Sequence, residues 1–126
     1  MSPAARSLHV FGQYLVGAGA LLMLAPALLL GPLGIPVPGD AWVRVTGMVV
    51  LILGLYYVIG ARAELLSFMR ASVPVRAAVP LVLATFVAAG LAPAALLLFG
   101  TIDAAAALWT WLALRSMGAA RPARAA

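Results

Sequence analysis

The chain has 126 residues, of which 66% are hydrophobic and only 9% charged, and its formal net charge is +5. A soluble domain usually has about 25% charged residues, so this composition lacks the polar surface that a water-soluble fold needs. Cysteine is absent, which excludes disulfides, thiol catalysis and cysteine-ligated metals. We expect one all-α domain of membrane-spanning helices, with the lipid bilayer rather than nucleic acid as its surroundings.

Four apolar segments are long enough, or nearly so, to cross a bilayer, which takes about 20 helical residues. They predict spans at about 9–30, 42–61, 77–99 and 103–117, between a tail at 1–8 and a basic tail at 118–126. The start of the chain also resembles a signal peptide, with Arg6 before an apolar run and Ala-Pro-Ala at 25–27. Because the run continues to Leu30, we expect it to remain as the first span.

The three connections differ in composition. Residues 31–41 contain three prolines and three glycines, which is typical of a non-helical loop. Residues 62–76 are amphipathic and predict a segment on the membrane surface, with Pro74 ending any helix there. Residues 99–103 predict a tight turn between the third and fourth spans.

The arginines predict the orientation of these spans. Seven of the eight lie on one side of the predicted topology, and only Arg44 lies on the other. The positive-inside rule then places both termini and the 62–76 connection in the cytoplasm. The Ala-rich, lysine-free composition is typical of a GC-rich genome, so part of the preference for arginine is expected to be mutational in origin.

One phrase occurs twice, as LAPALLLG at 24–31 and LAPAALLLFG at 91–100. Pro26 and Pro93 are each expected to bend the outer end of a span. Each phrase leads to an Asp-Ala pair, at Asp40 and at Asp103, and then to a return helix with tryptophan. This predicts two tandem hairpins in parallel orientation. The alternative is chance recurrence in a chain rich in Ala and Leu.

Small residues recur at helical spacing in two places. Gly47, Gly54 and Ala61 share one face of the second span, and Ala84, Ala88 and Ala92 share one face of the third. Small side chains let helices approach closely in lipid. They predict helix contacts within one chain or between chains, so a homo-oligomer or a larger membrane complex stays open.

Ionisable residues near the spans are the candidates for a site. Asp40, Arg44 and Asp103 form a predicted polar cluster on the outer face. Such a cluster would contact an anion or a lipid headgroup, or gate an outer cavity; alternatively, each Asp caps a helix and Arg44 is neutralised by one of them. We expect no catalytic residue, cofactor or metal, since His9 is the only histidine and no acid pair lies deep in a span.

Two stretches resemble a group of small bacterial four-span membrane proteins, WVRVTGMVVLILGLYYVIGARAEL at 42–65 and GLAPAALLLFGTIDAAAALWTWLALR at 90–115. The shared features are the arginine at Arg44, the Gly-Leu-Tyr-Tyr phrase at 54–57 and the Gly-x-x-Asp phrase at 100–103. The resemblance covers about residues 10–115. It implies a multi-pass protein of a bacterial inner membrane and a four-span topology, but no particular activity. The layout is also similar to that of DoxX-like proteins. Small multidrug transporters have an acid in their first span, and residues 10–30 contain none.

Two functions follow as hypotheses. The first is a non-enzymatic structural or accessory membrane component that works through helix packing. The alternative is a binder or transporter of a small hydrophobic or anionic molecule at an outer-face site. An outer cavity flanked by Pro26, Pro93 and Arg44 would favour the alternative, and a solid bundle with a seam of small residues would favour the first.

Overall fold

The protein is a helical bundle. The computed structural model describes residues 1–37 and 39–120, and the regular structure in those two ranges is entirely helical. Four of the helices are long and apolar enough to cross a membrane, which confirms the predicted all-α, four-span fold class and makes the chain a multi-pass membrane protein. The five α-helices are α1 (Pro3–Leu24), α2 (Pro26–Leu30), α3 (Trp42–Arg62), α4 (Leu66–Ala88) and α5 (Leu97–Ala120).

The four long helices form two consecutive hairpins. α1 packs along α3, α4 packs along α5, and the hairpins meet mainly where α1 lies against α5. Both hairpins start at the same end of the bundle, as the repeated phrase predicted. We call this end, which carries Arg6, Arg62, Arg70 and Arg115, the basic end. The opposite end holds the 25–41 loop and the 89–96 connection.

Backbone contact between glycines holds the first hairpin together. A Cβ atom on Gly54 would lie 2.7 Å from the backbone nitrogen of Val16, and one on Gly19 would lie 2.7 Å from the carbonyl oxygen of Gly47. Gly47, Gly54 and Ala61 are all buried, so the predicted stripe on the second span packs within the chain. Close helix approach of this kind replaces the hydrophobic drive that is absent between helices in lipid.

The second small-residue stripe does not form such a seam within the chain. Ala84 and Ala88 are exposed on α4, and Ala92 lies beyond the end of that helix.

The predicted bounds of the third and fourth spans are wrong. α4 runs from Leu66 to Ala88 instead of 77–99, and it continues through Pro74 and Pro80. A proline removes one backbone hydrogen bond, but helices in membranes tolerate this where neighbouring elements satisfy the freed carbonyl group. Residues 62–76 are therefore not a surface segment, because only residues 63–65 connect α3 to α4.

Gly90 is the residue that ends α4. Its φ of +72° is left-handed, and the amide of Leu91 donates to the carbonyl of Phe86 at 2.8 Å while the amide of Gly90 donates to that of Val87 at 3.1 Å. This pair of bonds is the Schellman motif, which closes a helix at a glycine. α5 then begins at Leu97, so residues 99–103 lie inside a helix and are not a turn.

The two repeated prolines have different positions. Pro26 is buried at the break between α1 and α2, where Ala25 leaves the helical conformation with φ −146° and ψ 67°. Pro93 bends no helix, because Gly90 has already ended α4; it precedes the 3-10 turn Ala94–Leu96 in the connection to α5. Each proline lies at the start of a new helical segment, Pro26 as the first residue of α2 and Pro93 directly before the 3-10 turn.

The predicted tail at 1–8 is mostly the first turns of α1. The Ser2 hydroxyl accepts a hydrogen bond from the amide of Ala5 at 3.1 Å, and Pro3 follows at the first helical position, which together form a helix start signal. α1 therefore begins six residues before the predicted span and ends at Leu24 instead of Leu30. The predicted tail at 118–126 is helical up to Ala120, and its remainder, with Arg121 and Arg124, lies outside the described residues.

The packed core lies at the basic end of the bundle. It is built from the first half of α1, the end of α3 and residues of α4 and α5, namely Ala4, Ala5, Leu8, Phe11, Leu15, Tyr57, Ala61, Met69 and Ala113. Ser2 closes this end by donating from its amide and its hydroxyl to the two carboxylate oxygens of Glu64, both at 2.7 Å. These bonds hold the pKa of the Glu64 carboxyl below its usual range.

We call the close contact of Gly12 and Gly19 on α1 with Gly54 and Gly47 on α3 the glycine seam. It predicts different effects for substitutions at two glycines of α1. Gly19→Ala forces a methyl group against the backbone of α3 and should lower the free energy of unfolding by about 1–3 kcal/mol. Gly17→Ala meets nothing within 4 Å and should leave stability unchanged or raise it slightly, because alanine favours helix. Unfolding in mixed micelles, followed by circular dichroism, measures both. Equal effects of the two changes would contradict the seam.

Candidate functional site: a buried arginine beneath an acidic cavity

Arg76 is the most deeply buried charged residue among those described. Its side chain is 2% exposed, and it lies near the middle of α4, about 15 Å from the start of that helix at the usual rise per residue. The sequence placed Arg76 in a cytoplasmic connection. That prediction is wrong, because α4 begins ten residues earlier, at Leu66.

Hydroxyl groups of α4 and α5 bind the guanidinium, and a hydroxyl group of α1 binds to the one on α5. Its Nη2 donates to Oγ1 of Thr110 at 2.8 Å and to Oγ of Ser72 at 3.1 Å, and its Nε donates to the Ser72 carbonyl at 3.4 Å. The Ser7 and Thr110 hydroxyls are 2.8 Å apart. Since the Ser7 hydroxyl donates to the Ala4 carbonyl at 2.7 Å, Thr110 donates to Ser7 and accepts from Arg76.

Two aromatic rings provide further stabilisation for the charge. The Cζ atom of Arg76 lies 4.9 Å from the ring centroid of Phe11 and 5.6 Å from that of Tyr57. Such cation–π contacts gain strength where water is excluded. Nη1 has no hydrogen-bond partner among the described residues. Arg76 thus contacts α1, α3 and α5 at one point, and we call these six residues the Arg76 cluster: Ser7, Phe11, Tyr57, Ser72, Arg76 and Thr110.

A cavity of about 440 Å³ lies between α1, α3 and α5, on the side of the Arg76 cluster away from the basic end. We call it the outer cavity. Asp40 and Trp42 line it near the loop, and Tyr14, Val50 and Asp103 line its deep part. The remaining lining residues are mainly aliphatic or aromatic: Leu15, Ala18, Leu22, Leu29, Leu30, Val43, Thr46, Leu96 and Phe99.

The charged residues that line the outer cavity are both acidic. Asp40 is exposed at the loop, whereas Asp103 is partly buried inside α5, within electrostatic range of Arg76 and of the Tyr14 and Tyr57 hydroxyls. Among the described residues no arginine lines the cavity. The cavity therefore joins apolar walls to a carboxylate that a buried guanidinium partly compensates.

The predicted cluster of Asp40, Arg44 and Asp103 forms only in part. Asp40 and Asp103 line the same cavity. Asp40 accepts a hydrogen bond from the amide of Trp42 at 3.2 Å, but it does not cap α3, because Ala41 holds the N-cap position and the helix has no side-chain cap. Asp103 caps no helix, because it is the seventh residue of α5.

Arg44 binds neither Asp40 nor Asp103 and contacts the backbone of α1 instead. Its Nη1 donates to the carbonyls of Met23 at 2.7 Å and Leu24 at 3.3 Å. These carbonyls lost their helical partners where the chain breaks before Pro26, and a cationic side chain is a favourable partner at a helix C-terminus. Neither interpretation of the cluster anticipated this role.

Neither a family model, nor a curated protein, nor a solved structure matches the chain. In the part of the chain that the structure describes, no three His, Asp or Glu side chains come together as metal ligands.

The Arg76 cluster predicts that Thr110 contributes far more to the stability of the protein than Thr101, another threonine of α5. Thr110→Val removes an acceptor from the buried guanidinium and a donor from Ser7, so it should lower the free energy of unfolding by about 1–3 kcal/mol. Thr101→Val is the control on the same helix, since the Thr101 hydroxyl is exposed and bonds only to the Leu97 carbonyl. It should change stability by less than about 0.5 kcal/mol. Unfolding in mixed micelles measures both, and a Thr110→Val protein as stable as wild type would contradict the role of the cluster.

Proposed function

We propose that the protein is a non-enzymatic, membrane-embedded binder of a small amphiphilic molecule. The apolar body of this molecule fills the outer cavity, and its cationic group faces Asp103 and Asp40. The observation that carries the proposal is the cavity itself. Its volume of about 440 Å³ is in the range of small-molecule sites, and its walls are apolar with a few polar groups.

The charges in the cavity favour a cation over an anion. Both charged lining residues are acids, and Arg44, the arginine nearest this end, is engaged by the backbone of α1. An anionic ligand would meet two carboxylates in a site of low dielectric, where repulsion is strong. The sequence suggested either a hydrophobic or an anionic ligand. The lining of the cavity supports a hydrophobic ligand and does not support an anionic one.

We also propose that the basic end faces the cytoplasm of a bacterial cell and that the protein lies in the inner membrane with both termini inside. Four exposed arginines at that end support this orientation, through the positive-inside rule: Arg6, Arg62, Arg70 and Arg115. Arg44, the arginine at the opposite end, has a local backbone partner. In this orientation the outer cavity lies in the outer half of the membrane.

A second candidate function is that of an accessory component of a larger membrane complex, working through helix packing. The support for it is α4, which packs mainly on α5 and leaves much of its apolar surface uncovered, including Leu81, Val82 and Phe86. The same surface would face lipid in a monomer. Copurification of a defined complex would support this second candidate, and a monomer that binds a small molecule would support the first.

Binding by the outer cavity predicts selectivity for charge. Naphthylethylamine, naphthylethanol and naphthylacetate share an apolar body and carry a positive, zero and negative charge. In equilibrium dialysis against nanodiscs of zwitterionic lipid, corrected for empty nanodiscs, the amine should bind most tightly and the acetate least. Asp103→Asn should weaken amine binding roughly tenfold, the effect of losing about 1.4 kcal/mol of charge pairing.

Two neighbouring valines of α3 provide the matched control for the cavity. Val50 lines it, whereas Val49 is exposed on the lipid side. Val50→Trp should fill the cavity and abolish amine binding, and Val49→Trp should leave it unchanged. Equal binding by both variants, or tighter binding of the acetate, would refute the cavity as the site and leave the accessory role as the better proposal.

The orientation is testable because the chain has no cysteine of its own. Gly39→Cys lies in the exposed loop before α3, and Ala63→Cys lies in the exposed connection between α3 and α4. In intact bacterial cells, a membrane-impermeant maleimide should label Gly39→Cys and spare Ala63→Cys until the cells are opened. The reverse pattern would place the termini outside.

A further inference from the structure

A shallow groove lies at the basic end, between α4 and α5. It measures about 450 Å³ and is lined by Arg70, Val73, Pro74, Trp111, Leu114 and Arg115. A smaller recess continues from it and shares Arg70 and Leu114. This groove is separate from the outer cavity, with which it shares no lining residue.

The groove holds two positive charges without a compensating acid. Arg70 and Arg115 face it from different helices, and no acid is among its lining residues in the described part of the chain. The sequence contains only three acidic residues in all. Asp40 and Asp103 line the outer cavity, and Glu64 is held by Ser2. The two guanidiniums therefore give the groove a net positive charge.

The depth of the two arginines matches the interface of a bilayer. Arg70 lies four residues after the start of α4 and Arg115 five residues before the end of α5, which is about 6–8 Å from the helix ends. Arg115 is held over the Trp111 ring, with its Cζ atom 4.8 Å from the ring centroid. Tryptophan and arginine at this depth are typical of the headgroup region.

We propose that this groove binds the headgroup of an anionic phospholipid, with the phosphate between Arg70 and Arg115 and the acyl chains along the apolar surface of α4 and α5. Guanidinium groups bind phosphate oxygens in a bidentate manner, and basic pockets between membrane helices on the cytoplasmic side are known to hold anionic headgroups. The apolar walls formed by Val73, Pro74 and Leu114 suit the start of an acyl chain and would give a free phosphate ion no contact.

The test compares two double variants with the same net charge. Arg70→Gln/Arg115→Gln removes both charges from the groove. Arg6→Gln/Arg62→Gln removes two exposed arginines from the same end, outside the groove. The full-length proteins are purified in neutral detergent, checked for helix content by circular dichroism, and titrated with phosphatidylglycerol or phosphatidylcholine. Native mass spectrometry then counts the bound lipids, with and without inorganic phosphate as competitor.

Wild type and the Arg6/Arg62 variant should each retain one phosphatidylglycerol at about tenfold higher occupancy than phosphatidylcholine, since each arginine near an anionic headgroup contributes several-fold in affinity. The Arg70/Arg115 variant should lose that preference while keeping its helix content. The proposal is overturned if both double variants lose the preference equally, if neither loses it, if the Arg70/Arg115 variant loses its helix content, or if inorganic phosphate displaces the lipid.

Discussion

A guanidinium group enclosed by apolar helices is the constraint on which the bundle depends. Burying a charge without partners is so unfavourable that a chain normally avoids it. Arg76 is tolerated because α1, α3 and α5 each bring a hydroxyl or a ring to the same point, through Ser7, Phe11, Tyr57 and Thr110. Those partners come from both hairpins. The charge therefore fixes how the hairpins face each other, a relation that packing in lipid alone specifies weakly.

The outer cavity forms because the contact between the hairpins around Arg76 lies toward the basic end. The glycine seam holds α1 against α3 along most of its length, and the hairpins are joined around Arg76 by a core that lies toward the basic end. Beyond Tyr14 the glycine seam continues, but the core that joins α1 to α5 does not, and the space between α1, α3 and α5 widens into the cavity. Asp103 lies at the transition, within range of the guanidinium on one side and lining the cavity on the other.

Much of this fold is encoded in patterns that a single sequence reveals, but the site is not. Four apolar segments, the pairing of hairpins and the Gly47–Gly54 stripe follow from composition and spacing. The bounds of α4 depend on Gly90 and not on Pro74, since proline stops helices in water but is tolerated in a membrane, whereas a glycine closely followed by a proline, here Pro93, is a strong helix stop. A helix stop at Pro74 therefore predicts a third span 11 residues too far along the chain at both ends, with Arg76 in a loop and Asp103 in a turn. Arg44 was beyond sequence reasoning, because its partners are carbonyl groups and not side chains.

The position of the Arg76 cluster bears on whether an occupant of the outer cavity is held or carried across. A molecule in that cavity meets Tyr14 and Asp103 and then the packed core around Phe11, Tyr57 and Leu8. To go farther it would have to separate α1 from α5, which would break the Ser7–Thr110 hydrogen bond and take the Phe11 ring away from the Arg76 guanidinium. Losing a buried hydrogen bond and a desolvated cation–π contact costs about 1–3 kcal/mol each. The same cluster that orients the hairpins therefore opposes passage between them, and this asymmetry favours binding from one side of the membrane over transport through it.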